Sequence, residues 1–166
     1  MPDAASAEVV VVVPAGPSII DAADWVGHAC WAELRLHQVL TDWLGSETDP
    51  KLSASLWRIR SNRAAVAAAW HRRLPELHEL PRAGFVEPSA SGEEALAALD
   101  ALTASGASDD RVTALRTGLA KLGARYEQHV AVAVGPADGP TAATLADAIR
   151  TTAADGASLA AWTPQR

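Results

Sequence analysis

Glu33 and His37 lie four residues apart in the stretch CWAELRLHQVLTDWL. On a helix of about 3.6 residues per turn they share a face with Cys30, Leu40 and Leu44. That face is apolar, so the acid and the imidazole point at a core rather than at water. Arg63 falls in the middle of a second apolar stripe, Leu52, Leu56, Ile59, Val66, Trp70, Leu74 and Leu77, with Asn62 on its edge. Tyr126 and His129 fill a gap in a third stripe, Leu115, Leu119, Leu122 and Ala133. Burying a charge without a partner costs several kcal/mol, so these groups are expected to meet one another.

Three kinds of chemistry suit such a set. Glu33, His37 and Tyr126 are the candidates for cofactor-free acid–base catalysis, since a carboxyl, an imidazole and a phenol can all move protons. Glu33, His37 and His129 form a 2-His-1-carboxylate set of the kind that holds one iron ion, and this is the alternative to a metal-free interior. Arg63 weighs against it, because a guanidinium repels a nearby cation. The third possibility is a buried Glu33–Arg63 ion pair whose remaining hydrogen bonds come from His37, Tyr126 and His129. It either gives register to a uniform Leu/Ala core or, with Asn62, walls a small ligand site, one that could take an anion. If only these two charges pair, Glu33→Gln and Arg63→Met should each destabilise strongly.

The elements that must carry these residues are helices. The first is predicted from near Ser18, with Asp21 three residues on, to about Leu44, where Gly45 stops it. The second starts at Asp49 as N-cap with Pro50 at the first helical position, and runs to Leu74 before Pro75. A connection broken by Pro75, Pro81, Gly84 and Pro88 follows. It contains a short helix expected at about 92–104, capped by Ser91 with Glu94. The third long helix begins after Ser108, with Asp109 and Asp110 at its positive end, and reaches about Val134. The fourth runs from Pro140 to near Trp162 on the stripe Leu145, Ile149, Thr152, Gly156 and Leu159. On it Asp147 is expected to face outward and Asp155 is marginal. The fold class is therefore all-α: a four-helix bundle with a short extra helix in the long connection between helices 2 and 3. That connection can cross the length of the bundle, which permits a ferritin-like topology and leaves a simple up-down bundle open. Residues 1–17 read as a flexible arm and 18–166 as the bundle domain.

Composition bounds the function. The 166 residues are 49% hydrophobic, enough for one well-cored domain. A net charge of −6 disfavours nucleic acid as a partner. The run Val9–Val13 is too short to span a bilayer and lacks a basic segment before it, so neither membrane insertion nor a signal peptide is expected. The lone Cys30 cannot form an internal disulfide; a cytoplasmic location fits, and the residue reads as a small core group. There is no Gly-rich phosphate loop, Cys-x-x-Cys or Ser-centred elbow.

The first helix carries a second apolar stripe through Trp25, Leu36, Val39 and Trp43. A helix apolar on two sides is covered on two sides. The cover expected here is another chain, a homo-oligomer or a protein partner, with cover by the chain's own connection as the other option. The second helix carries Lys51, Arg58, Arg60, Arg63, Arg72 and Arg73 with no acid of its own, a surface suited to salt bridges within the chain or to an acidic partner.

The phrases WHRRLPEL at 70–77 and YEQHVAVAVGPADGPTAATLADAI at 126–149, with the bundle itself, resemble the ferritin-like superfamily, especially its tRNA-hydroxylase-like actinobacterial branch. The resemblance implies a four-helix bundle whose metal-binding members carry a carboxylate-bridged di-iron centre that oxidises with dioxygen. That centre needs a Glu from each of two helices and a Glu-x-x-His pair from each of the other two. Here Glu33 and His37 are spaced i,i+4, the second helix has no acid between Pro50 and Leu74, and Glu127 points away from its stripe. The di-iron site is therefore degenerate. The function expected is that of a metal-free bundle acting as a binding or accessory subunit.

Overall fold

The computed structural model describes residues 17–76, 78, 80–104, 106–133 and 139–163. The expectations for the N-terminal arm up to residue 16 and for Leu77 on the second stripe lie outside them. The described chain is all-helical: α1 (Ile19–Leu44), α2 (Pro50–His71), α3 (Ala90–Asp100), α4 (Ser108–Val132) and α5 (Gly139–Ala160), with a 3-10 turn at Arg82–Phe85 and no strand among the described residues. Among those residues no helix is long and apolar enough to cross a membrane.

Local chemistry sets the helix ends. The Ser18 hydroxyl accepts from the Asp21 amide and donates to its carboxylate. The Asp49 carboxylate accepts from the amides of Lys51 and Leu52 and, at 3.2 Å, from the Trp162 indole, so one cap also pins the far end of α5. Three boundaries differ from the sequence reading, one of them the end of α3, which stops at Asp100 rather than at about 104. α2 stops at His71, ahead of Pro75. α3 is capped by Ser89, not Ser91, because the Ser89 hydroxyl takes the Gly92 amide.

Contacts between helices give their directions. Cys30 lies against Ala67 and Glu33 against Arg63, so α1 and α2 form an antiparallel hairpin. Asp49 meets Trp162 and Asn62 meets Asp155, so α5 runs antiparallel to α2. Ser46 bonds Arg111 and Glu33 bonds Tyr126, so α4 is antiparallel to α1 and hence parallel to α2. The connection from α2 to α4 must therefore travel the length of the helices, and α3 lies on it, packed on α1 and α4.

That packing overturns the expected interface on α1. Leu36, Val39 and Trp43 are buried at 2%, 0% and 0% exposure. They pack in one core cluster with Leu96 and Leu99 of α3, and the Trp43 indole donates to the Thr103 hydroxyl at 3.2 Å. The Arg111 guanidinium lies 5.6 Å over the same indole and donates to the carbonyls of Leu102 and Thr103. Trp25 is half-buried beneath the Arg125 guanidinium. The chain covers its own second stripe, because the connection supplies a helix amphipathic enough to do so.

Apolar packing is split in two. One cluster, with Leu40, Leu56, Leu115 and Leu159, occupies the half nearest the α1–α2 turn. The other, with Val26, Trp70, Phe85, Tyr126 and Leu145, fills the opposite half. Glu33 and Arg63 lie between them.

Candidate functional site

Glu33, Arg63 and Asp155 are each 0% exposed and form one cluster. Arg63 Nη1 donates to Glu33 Oε1 at 3.0 Å and to the Thr152 hydroxyl at 3.0 Å. Arg63 Nη2 donates to Asp155 Oδ2 at 2.8 Å. Asn62 Nδ2 donates to Asp155 Oδ1 at 2.8 Å, and the Tyr126 hydroxyl donates to Glu33 Oε1 at 2.5 Å. α1, α2, α4 and α5 thus each contribute to one polar layer with the guanidinium at its centre.

The sequence reading placed Glu33, Asn62, Arg63 and Tyr126 correctly in this layer and missed Asp155 and Thr152. His37 does not join it. The side chain is half-buried, and the hydrogen bonds of Glu33 go to Arg63 and Tyr126 instead. His129 is buried but stands outside the layer, stacked on Trp25 at 4.9 Å and on Trp70 at 5.9 Å between ring centroids. The mononuclear set Glu33, His37 and His129 is therefore not assembled, and among the described residues no three His, Cys, Asp or Glu side chains form a group that could hold a metal ion. A di-iron centre does not fit either. The two buried carboxylates that could bridge metals already share the Arg63 guanidinium, and a metal would have to displace a buried organic cation from between them.

Two carboxylates and one guanidinium leave the layer one negative charge in excess when both acids are ionised. Glu33 Oε2 is buried with no hydrogen-bond partner, so ionisation of this group is poorly compensated. Burial pushes the Glu33 carboxyl from 4.5 up to about 7, although Arg63 and the Tyr126 hydroxyl pull it down. Burial also raises Asp155 against the pull of Arg63. The Tyr126 phenol is held well above its ordinary value, first by burial and then by Glu33. Cys30 is pushed up to about 11 by burial and then by Glu33, which fits a core residue rather than a nucleophile.

The Glu33 shift has a stability consequence. Between 4.5 and about 7 the folded chain holds a proton on Glu33 that the unfolded chain has lost. The contribution of Glu33 is fully present below pH 4.5 and is lost as pH rises through about 7. Thermal melts should therefore show the wild type losing about 5–10 °C more than Glu33→Gln between pH 5 and pH 7.5. Parallel curves for the two proteins would show that Glu33 stays ionised throughout.

Beside the layer, between α1, α3 and α4, lies a cavity of about 670 Å³. Ala29, Ala32 and Leu36 of α1, Leu96 and Leu99 of α3, and Gly118 and Leu122 of α4 supply its apolar wall. Trp25, His28, Lys121, Arg125, Gln128 and His129 supply its polar part. Tyr126 lines it as well, and its hydroxyl is on Glu33. Glu33 itself is not on the wall. Nothing in the stripes of the three helices pointed directly to this space. It exists because small residues, Ala29, Ala32, Ala95, Ala98 and Gly118, occupy facing positions on three helices.

No family model, curated protein or solved structure matches the chain.

Proposed function

We propose that the chain is a metal-free, ferritin-like helical bundle that works as a binding or accessory protein and takes a small molecule in the cavity between α1, α3 and α4. The cavity carries this reading. Its volume of about 670 Å³ falls within the ~300–1,000 Å³ of small-molecule sites, and it combines an apolar wall with a few polar groups. The ferritin-like outline is supported by two antiparallel hairpins joined so that α2 and α4 run parallel. In place of a metal centre the bundle carries the Arg63 guanidinium between two carboxylates. That arrangement suits a structural layer that fixes helix register.

The competing reading is acid–base catalysis by Glu33 and Tyr126, favoured by a Glu33 carboxyl poised near neutrality. Access weighs against it. Glu33 is fully buried and is not on the cavity wall, and its hydrogen bonds go to Arg63 and Tyr126 rather than to His37, the third member expected.

Two measurements test the proposal. Elemental analysis of the purified protein should find no stoichiometric iron or manganese; two metal ions per chain would overturn the metal-free reading. The neutral fluorophore N-phenyl-1-naphthylamine should bind saturably, one per chain, and Ala98→Trp at the cavity's lip should abolish binding. Absence of saturable binding would overturn the cavity as the site.

A further inference from the structure

We infer that the ligand of this cavity is an amphipathic anion, with its charged head beside Arg125 and its apolar body directed toward Leu36, Leu99 and Gly118. This rests on the cavity being the binding site. The wall is chemically divided along its length. Arg125 Nη1 donates to the Ser91 hydroxyl at 3.1 Å, so Arg125 sits opposite the start of α3. A Cβ on Gly118 would come 3.2 Å from Leu99 Cδ1, so Gly118 sits opposite the end of α3, where the helices close together. These two positions on α4 are seven residues apart, roughly 10 Å at 1.5 Å per residue. A polar end and a closed apolar end are therefore separated by the length of a short alkyl chain.

The charge at the polar end is positive in a chain whose net charge is −6. Lys121 and Arg125 are both on the wall, against the single acid Glu94. Arg125 is half-buried, and no carboxylate lies within ion-pair distance of it among the described residues. Its guanidinium is held 5.3 Å over the Trp25 ring, so its position is set before any ligand arrives. A planar guanidinium with free donors in a partly desolvated cleft matches a carboxylate or a comparable oxyanion. An alcohol would gain less there, and an alkylammonium would be repelled.

Competition against bound N-phenyl-1-naphthylamine tests this with three twelve-carbon ligands: dodecanoate, dodecanol and dodecyltrimethylammonium. Dodecanoate should displace the probe about tenfold more strongly than dodecanol, the size of one charge-assisted hydrogen bond, and dodecyltrimethylammonium should be weakest. Arg125→Gln should weaken dodecanoate about tenfold, to the level of dodecanol, and weaken dodecanol far less. Equal displacement by all three ligands, with the probe still blocked by Ala98→Trp, would overturn the anion and leave the cavity standing. Loss of dodecanol binding along with dodecanoate in Arg125→Gln would also overturn it, because the residue would then be supporting the wall rather than reading a charge. No probe binding to the wild type would remove the cavity reading and this inference together.

Discussion

Arg63→Met should cost about 3–5 kcal/mol of stability at neutral pH, because it strands two carboxyl groups that share one buried cation. Methionine fills most of the same volume and carries no charge, so cavity formation is the smaller part of the loss. What is lost is the compensation for Glu33 and Asp155, both 0% exposed, together with the bond to Thr152. Glu33→Gln should be much milder, which differs from the expectation for an isolated pair. Asp155 remains on Arg63 when the Glu33 charge is removed, and a carboxyl titrating near 7 is already partly neutral at physiological pH. Asp155→Asn should fall between the two, because Asp155 also anchors Asn62. The triple variant Glu33→Leu, Arg63→Met, Asp155→Asn should recover most of the loss of Arg63→Met, since no buried charge then remains. Urea titrations with unchanged m-values would read all four. An Arg63→Met loss below about 1 kcal/mol would mean that water reaches the layer and screens it.

How much of this layer was legible in the sequence depends on helix geometry. Glu33 and Arg63 announced themselves as charges on otherwise apolar stripes, and the short turn between their helices put them at matching heights. Asp155 was equally available. It lies three residues after Thr152 and four before Leu159, on the same face as both. Taking Gly156 as the stripe member rotated that face by one position and pushed Asp155 to its edge. His37 was drawn in because it follows Glu33 by four residues. Four residues overshoot a full turn by about 40°, and that leaves its imidazole half-buried beside the layer rather than within it. The two apolar stripes of α1 were legible from the spacing of its apolar residues alone. Their cover was not, because it depends on where a Pro-broken connection lays down α3, a contact between residues some 60 positions apart in the chain, as in Trp43 with Thr103.

That connection is held by a close approach that only glycine allows, and Gly27→Ala should therefore destabilise by about 3 kcal/mol or more. Propensity alone argues the opposite sign. Gly27 lies inside α1, where alanine is the better helix former by about 1 kcal/mol. The contact decides the matter. A Cβ on Gly27 would stand 1.9 Å from the Phe85 carbonyl oxygen and 2.8 Å from its carbonyl carbon. These are backbone atoms of the 3-10 turn, so no rotamer change relieves the clash, and the turn must lift from α1. Phe85 is 6% exposed in the core half that contains Val26 and Trp70, and lifting the turn draws it out. The turn ends four residues before Ser89, the cap of α3, and α3 forms one wall of the cavity. The same substitution should therefore lower the melting temperature by about 6–12 °C and weaken N-phenyl-1-naphthylamine binding, while Glu33→Gln, which touches neither the turn nor α3, should leave the probe's affinity unchanged. A Gly27→Ala protein as stable as the wild type would show that the turn is not seated on α1. A destabilised one with undiminished probe binding would show that α3 holds its place through α1 and α4 alone, by contacts such as the Arg35–Asp100 ion pair and the Leu99 packing on Gly118.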